Sequence, residues 1–156
     1  MSSDALMSVV LGELAKGVKE NPLDSNNGQE VDLYLLSVGL NPKDPDKKNK
    51  AWCMAFTYWC HLQAGIIDLP KTGLVYDFFV KSKGVNKVFT DASQLMVGDI
   101  VMRLTPPHVG IVSKIEDLNN IYYISGNTTK NGSSNDSYVD EHKLSLAVFT
   151  QYARYW

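Results

Sequence analysis

Cys53 is the residue in this chain best placed for covalent chemistry. It stands in the run Ala51-Trp-Cys-Met-Ala-Phe-Thr-Tyr-Trp-Cys60, just inside the start of a segment that reads as a helix. A thiol at a helix N-terminus meets the positive end of the helix dipole and a set of unpaired backbone N–H groups. Both favour the thiolate, and the same N–H groups can hold a developing oxyanion. Cys60, two turns further in, lacks that field and reads as packing. The two cysteines cannot pair if they share a helix: seven residues rise about 10.5 Å, beyond the roughly 7 Å between bridged Cα atoms.

A cysteine nucleophile needs a base. Of the three histidines, His61 adjoins Cys60 inside the helix, and His142 lies in the charged stretch Asp140-Glu-His-Lys143 and reads as solvated surface. His108 opens a strand directly after Pro106-Pro107. Strand alternation sets His108, Gly110 and Val112 on one face and Val109, Ile111 and Ile115 on the other. The glycine leaves room for another element, such as the cysteine helix, to approach. A third group that orients the imidazole is expected: Asn127, at the end of the next strand in Ile124-Ser-Gly-Asn127, or Asp99, whose alternative role is the Gly98-Asp99 turn.

Other chemistries have weaker support. The cysteines and histidines show no zinc spacing. Asp44 and Asp46 alternate in a calcium-like way, but Lys43, Lys47, Lys48 and Lys50 around them oppose it. Phosphate-binding and dinucleotide fingerprints are absent from the sequence, as is a Gly-x-Ser-x-Gly motif. The expected cofactor is none and the expected metal is none.

The first half of the chain reads as helices and the second as strands, which implies an α+β fold. A first helix is expected from Ser3 or Asp4 to about Glu20, with Leu6, Val9, Val10, Leu14 and Val18 as its apolar face. Asn27, with Glu30 three residues on, makes a capping-box pattern for a second helix, whose apolar face is Val31, Tyr34, Leu35 and Val38. Residues 40–50 form a polar loop. The cysteine helix is apolar over most of its surface, hence buried, and closes at Gly65. A shorter helix spans Leu74 to Lys81. Strands follow at Ile100–Leu104, His108–Ile115 and Ile121–Ser125, with a loop from Gly126 to Asp136 and a last strand between Ser145 and Tyr152. Short connections favour an antiparallel meander.

The chain has 156 residues, 44% of them hydrophobic, with 15 basic and 17 acidic side chains and a formal charge of −2. That size can bury a core without disulfides, and the charge disfavours nucleic acid or an anionic membrane as partner. No stretch approaches a membrane span. The N-terminus lacks the basic start of a signal peptide.

Trp52-Cys-Met-Ala-Phe-x-x-Trp-Cys60, Val97-Gly-Asp-Ile-Val101, His108-Val-Gly-Ile-Val112 and Ser125-Gly-Asn-Thr128 together resemble, in order and spacing, the CHAP family of cysteine, histidine-dependent amidohydrolases and peptidases. Ser25-Asn-x-Gly28, Val31 and Tyr34 extend the resemblance upstream. It implies an NlpC-like, papain-like α+β fold: N-terminal helices packed on an antiparallel sheet, in one catalytic domain over residues 1–156 with its core at about 20–152. It places the nucleophile on Cys53, the base on His108 and the third polar residue on Asn127, with Trp52, Asn26 and Gly110 as cleft residues. The implied activity is hydrolysis of an amide in peptidoglycan, by an endopeptidase or an N-acetylmuramoyl-L-alanine amidase, with a stem peptide or cross-bridge as substrate. The expected setting is the bacterial cell wall, reached by lysis, by injection or as part of a longer secreted protein. The chain is expected to be a monomer, with an immunity protein or a separate wall-binding domain as partner. The rival readings are a silent wall-binding module and a cysteine acyltransferase or deamidase acting on a protein. The long lysine-rich loop before Cys53 and the Pro106-Pro107 pair depart from the family pattern beside the cleft.

Overall fold

A twisted antiparallel sheet organises the molecule. The structure, a computed structural model, describes residues 3–128 and 137–156. Helices α1 (Ser3–Lys16), α2 (Gln29–Ser37), α3 (Cys53–Gln63) and α4 (Val75–Gly84) precede strands β1 (Val88–Phe89), β2 (Ile100–Leu104), β3 (Pro107–Ile115), β4 (Asn120–Thr128), β5 (Tyr138–Ser145) and β6 (Gln151–Ala153). The strand order is β1-β6-β2-β3-β4-β5. Strands β2 to β5 form the expected meander, while β6 returns to pair with both β2 and β1. The fold is α+β and papain-like.

Each face of the sheet has its own core. Val109, Ile111 and Ile124 pack with the helices α1, α2 and α3, where Trp52, Phe56, Tyr34 and Leu6 are buried. Val101, Val112, Ile121 and Tyr123 pack on the opposite side with Leu95, Leu146 and Phe149. The expected alternation therefore holds from His108 to Val112. Beyond it, Val112 pairs with Tyr123 but Lys114 with Tyr122, so Ser113 is an extra residue. This bulge reverses the alternation and sets Ile115 opposite Ile121, on the other face from Val109 and Ile111.

Helix α1 ends at Lys16, four residues short of the expectation. Gly17 takes φ +64°, a C-terminal cap. Val18–Glu20 then runs along the edge of β5, where Val139 donates to Val18 O and Glu20 donates to Ser137 O. The capping box at Asn27 does not form. Gly28 precedes α2, and its N–H donates to the Asp32 carboxylate. Asn27 turns its amide to Asp32 and Pro42 O instead. Helix α4 starts and ends slightly later than expected. Strand β4 continues through Gly126 to Thr128, so its end replaces the start of the expected loop, whose remainder lies outside the described residues. The segment expected as a last strand from Ser145 to Tyr152 divides into a short 3-10 turn at Leu146–Val148 and β6.

Candidate active site

Helix α3 begins at Cys53, and the segment before it is tightly held. The carboxylate of Asp46 accepts from Lys48 N–H and starts a 3-10 turn over Lys47–Lys50. Lys50 is buried, and its ammonium donates to Asn27 Oδ1 at 2.6 Å and to Pro42 O at 3.3 Å. Trp52 is fully buried, stacked on Tyr34, and its indole N–H donates to Glu20 Oε1 at 2.8 Å. Glu20 is itself buried and also accepts from Ser25 N–H and the Ser137 hydroxyl. Gly126 on β4 completes the fit: a Cβ there would come within 2.6 Å of the Trp52 ring and 2.8 Å of Phe56 Cβ. These contacts press the start of α3 onto β3 and β4.

Cys53, His108, Asn127 and Asn26 line one cleft of about 440 Å³. The β3–β4 pairing sets Ile111 against Ile124, and β4 continues to Asn127, which reaches the same cleft as His108. Asn127 is buried at φ +54°. Asn26 donates from its amide to Lys47 O at 2.9 Å and ties together two walls of the cleft. Those walls carry opposed charges, with Glu20 and Asp24 against Lys47 and Lys48. Lys47 and Asp24 meet at 2.9 Å. Pro106 and Pro107 form a rigid rim beside His108.

Two expected cleft residues lie elsewhere. Trp52 is a core residue, because its large ring is taken up by Tyr34, Gly126 and Glu20. Gly110 does leave space, but β4 fills it rather than the cysteine helix: a Cβ there would meet Tyr123 Cδ2 at 2.5 Å and Ser125 Cβ at 3.2 Å. Asp99 is buried under Arg154, whose Nε and Nη2 reach its two oxygens at 2.7 Å each, and it accepts from Met96 N–H. It serves the turn and the C-terminal segment. Asp44 and Asp46 cap local backbone turns, each accepting an N–H two residues on. Among the described residues, no three His, Cys, Asp or Glu side chains gather as a metal-ligand cluster.

The electrostatics differ from the helix-terminus expectation. Burial pushes the Cys53 thiol up to about 11, against the backbone N–H groups of Met54, Val109 and Cys53 and the charge of Arg103, which pull it down. The Val109 N–H on this sulfur ties the thiol to the residue next to His108. Burial, with Arg103 and then His142, lowers His108 to about 4. Its Nε2 lies 3.2 Å from the hydroxyl of buried Ser125, and Tyr123 meets the ring edge-on at 6.3 Å. Cys60 is fully buried in the helix-side core, and burial raises its thiol as well.

Three contributors escaped the sequence reading. Arg103 pairs across the strands with His108. Ser125 sits two residues before Asn127 on β4, with its hydroxyl against the His108 ring. His142 is buried rather than solvated, against Tyr123 and within 3.3 Å of Thr128 Oγ1. The alternation of β5 hid it, because only every second position of that charged run faces the core.

No curated protein matches the chain. The family model described as the CHAP domain matches residues 45–127, more than half of the sequence and the whole interval from the loop before Cys53 to Asn127. No helix among the described residues is long and apolar enough to cross a membrane. The chain thus belongs to the CHAP domain family, the cysteine- and histidine-dependent amidohydrolases and peptidases.

Proposed function

We propose that the protein hydrolyses a peptide-type amide of bacterial peptidoglycan, inside the stem peptide or cross-bridge or at the bond joining peptide to glycan. The observation that carries this reading is the meeting of Cys53, His108 and Asn127 in one cleft, with the Val109 N–H on the sulfur. The opposed charges of the cleft walls suit a peptide that bears both carboxylates and amines.

In this reading His108 takes the proton of Cys53 as the sulfur attacks the amide carbon. The new C–S bond leaves an oxyanion, for which the Cys53 N–H is one donor. Collapse breaks the C–N bond, and the leaving amine takes the proton from His108. Water then adds to the thioester with His108 as base, and the carboxylic acid leaves as the thiol is restored. Asn127 is the polar group of the base. The enzyme works at the cell wall as a monomer, and a wall-binding domain or an immunity protein is its partner.

The test is digestion of purified cell wall by wild-type protein and by Cys53→Ala, read by mass spectrometry of the released fragments. New amine termini from the wild type alone are expected, and the fragment masses name the bond cut. Equal release from both proteins overturns the reading.

A further inference from the structure

We propose that Lys48 is a specificity-determining residue of the cleft, binding a carboxylate of the peptide whose amide is cut. This deepens the peptidoglycan reading and rests on it: the preferred substrates are wall peptides that keep a free carboxylate near the scissile bond, over those in which it is amidated.

Among the described residues, four charged side chains line the cleft with Cys53, and three of them are already engaged. Glu20 is buried; its Oε1 accepts from the Trp52 indole, and its Oε2 from Ser25 N–H and the Ser137 hydroxyl. Asp24 and Lys47 hold each other at 2.9 Å. Lys48 is left: among the described residues its ammonium has no carboxylate, carbonyl or ring partner. Arg103, the other cation felt at Cys53, donates from Nε to Pro106 O at the rim and does not line the cleft.

The turn that carries Lys48 is held by its neighbours. The Asp46 carboxylate accepts Lys48 N–H at 3.0 Å, Asn26 donates to the carbonyl of Lys47, Asn49 donates from its side chain to Asp44, and Lys50 is anchored in the interior. Lys48 itself stays exposed. A fastened backbone thus presents an uncommitted ammonium to the cleft that holds the nucleophile. An ammonium is a compact point charge with three donors and no acceptor. Its partner is an anion, and on a peptide that anion is a carboxylate, which gains a charge-assisted hydrogen bond. An amide in the same place keeps an acceptor oxygen but loses the charge, so amidation of the substrate removes most of the attraction.

The experiment uses soluble muropeptides with free carboxylates and the same muropeptides amidated with carbodiimide and ammonia. Dissociation constants are measured on Cys53→Ala and on Cys53→Ala combined with Lys48→Gln; kcat and KM are measured on wild type, Lys48→Gln and Lys43→Gln. Lys43 is an exposed lysine of the same loop outside the cleft lining, so its variant controls for net charge. Cys53→Ala and wild type are expected to favour the free-carboxylate form about tenfold, in Kd and in KM with kcat little changed, the worth of one charge-assisted hydrogen bond. The preference shrinks at high salt. Lys48→Gln abolishes it by weakening the free-carboxylate form alone, and Lys43→Gln keeps it. A preference that survives Lys48→Gln, one lost equally in Lys43→Gln, or equal binding of both forms by Cys53→Ala overturns the proposal. If the binding preference follows Lys48 but wild type cuts neither form, the Lys48 assignment stands and the hydrolase reading falls instead.

Discussion

The resting charge of the Cys53–His108 pair can be worked from the structure. Burial holds the thiol up at about 11 and the imidazole down at about 4. Moving the proton from sulfur to ring costs about 1.4 kcal/mol per pH unit of that gap, so about 9 to 10 kcal/mol in all. Even two opposite charges brought to about 4 Å would return only roughly 4 kcal/mol at an effective dielectric of 20. The neutral pair wins by about 5 kcal/mol, so the ion pair is populated at roughly one part in several thousand. Proton transfer then accompanies attack on the substrate instead of preceding it. The perturbation is pH, and the assay is thiolate ultraviolet absorbance, taken as the difference between wild type and Cys53→Ser. Little thiolate is expected at neutral pH, with the signal rising only in the strongly alkaline range. The pH dependence of kcat/KM should show its acid limb near 4, where His108 protonates. A thiolate signal already present in mild acid, and lost in both Cys53→Ser and His108→Ala, refutes the reasoning.

Arg103 is a cation that disfavours the protonated ring, so Arg103→Met should raise the His108 midpoint, read by NMR titration. His61 is buried neutral: its Nδ1–H donates to Thr57 O at 2.8 Å, and its Nε2 is buried without a hydrogen-bond partner. Burial lowers it from 6.5 to about 4. Stability present above 6.5 is therefore lost as pH falls toward 4, because the unfolded chain takes the proton first, and the loss is about 2 kcal/mol by about pH 5. His61→Phe should remove that part of the acid dependence in denaturant titrations, and an unchanged dependence counts against a buried neutral ring. Gly126→Ala should cost about 1 to 3 kcal/mol through contact with Trp52 and Phe56 and lower Tm by roughly 3 to 10 °C. An unshifted Tm would mean that α3 can move away from β4.

The legible parts of the sequence were those set by one local pattern. Helix α3 declares itself by an apolar surface bounded by a polar loop and Gly65, and β3 by its alternation after two prolines. Contributions that depend on the register between distant segments were hidden. Ser125 becomes a ring partner only once β3 and β4 are aligned and Gly110 is seen between them. His142 looked solvated because three of its neighbours are charged, yet its own position faces Tyr123. The overrun of α1 and the capping box at Asn27 failed for local reasons, since Gly17 and Gly28 take backbone conformations that end or precede a helix. The thiol departs from the helix-start expectation in sign: the helix start does favour thiolate, but burial outweighs it.

Strand β6 has a consequence for how the molecule can be divided. It comes from residues 151–153, yet it lies inside the sheet, between the edge strand β1 and β2. Glu20 and Ser137, which brace Trp52 beside the nucleophile, also fall outside the segment matched at 45–127. The stretch recognisable by kinship is therefore not an autonomous folding unit. Excised at those limits it would open a slot in the sheet and unfasten one wall of the cleft, so any minimal catalytic fragment has to carry both flanks.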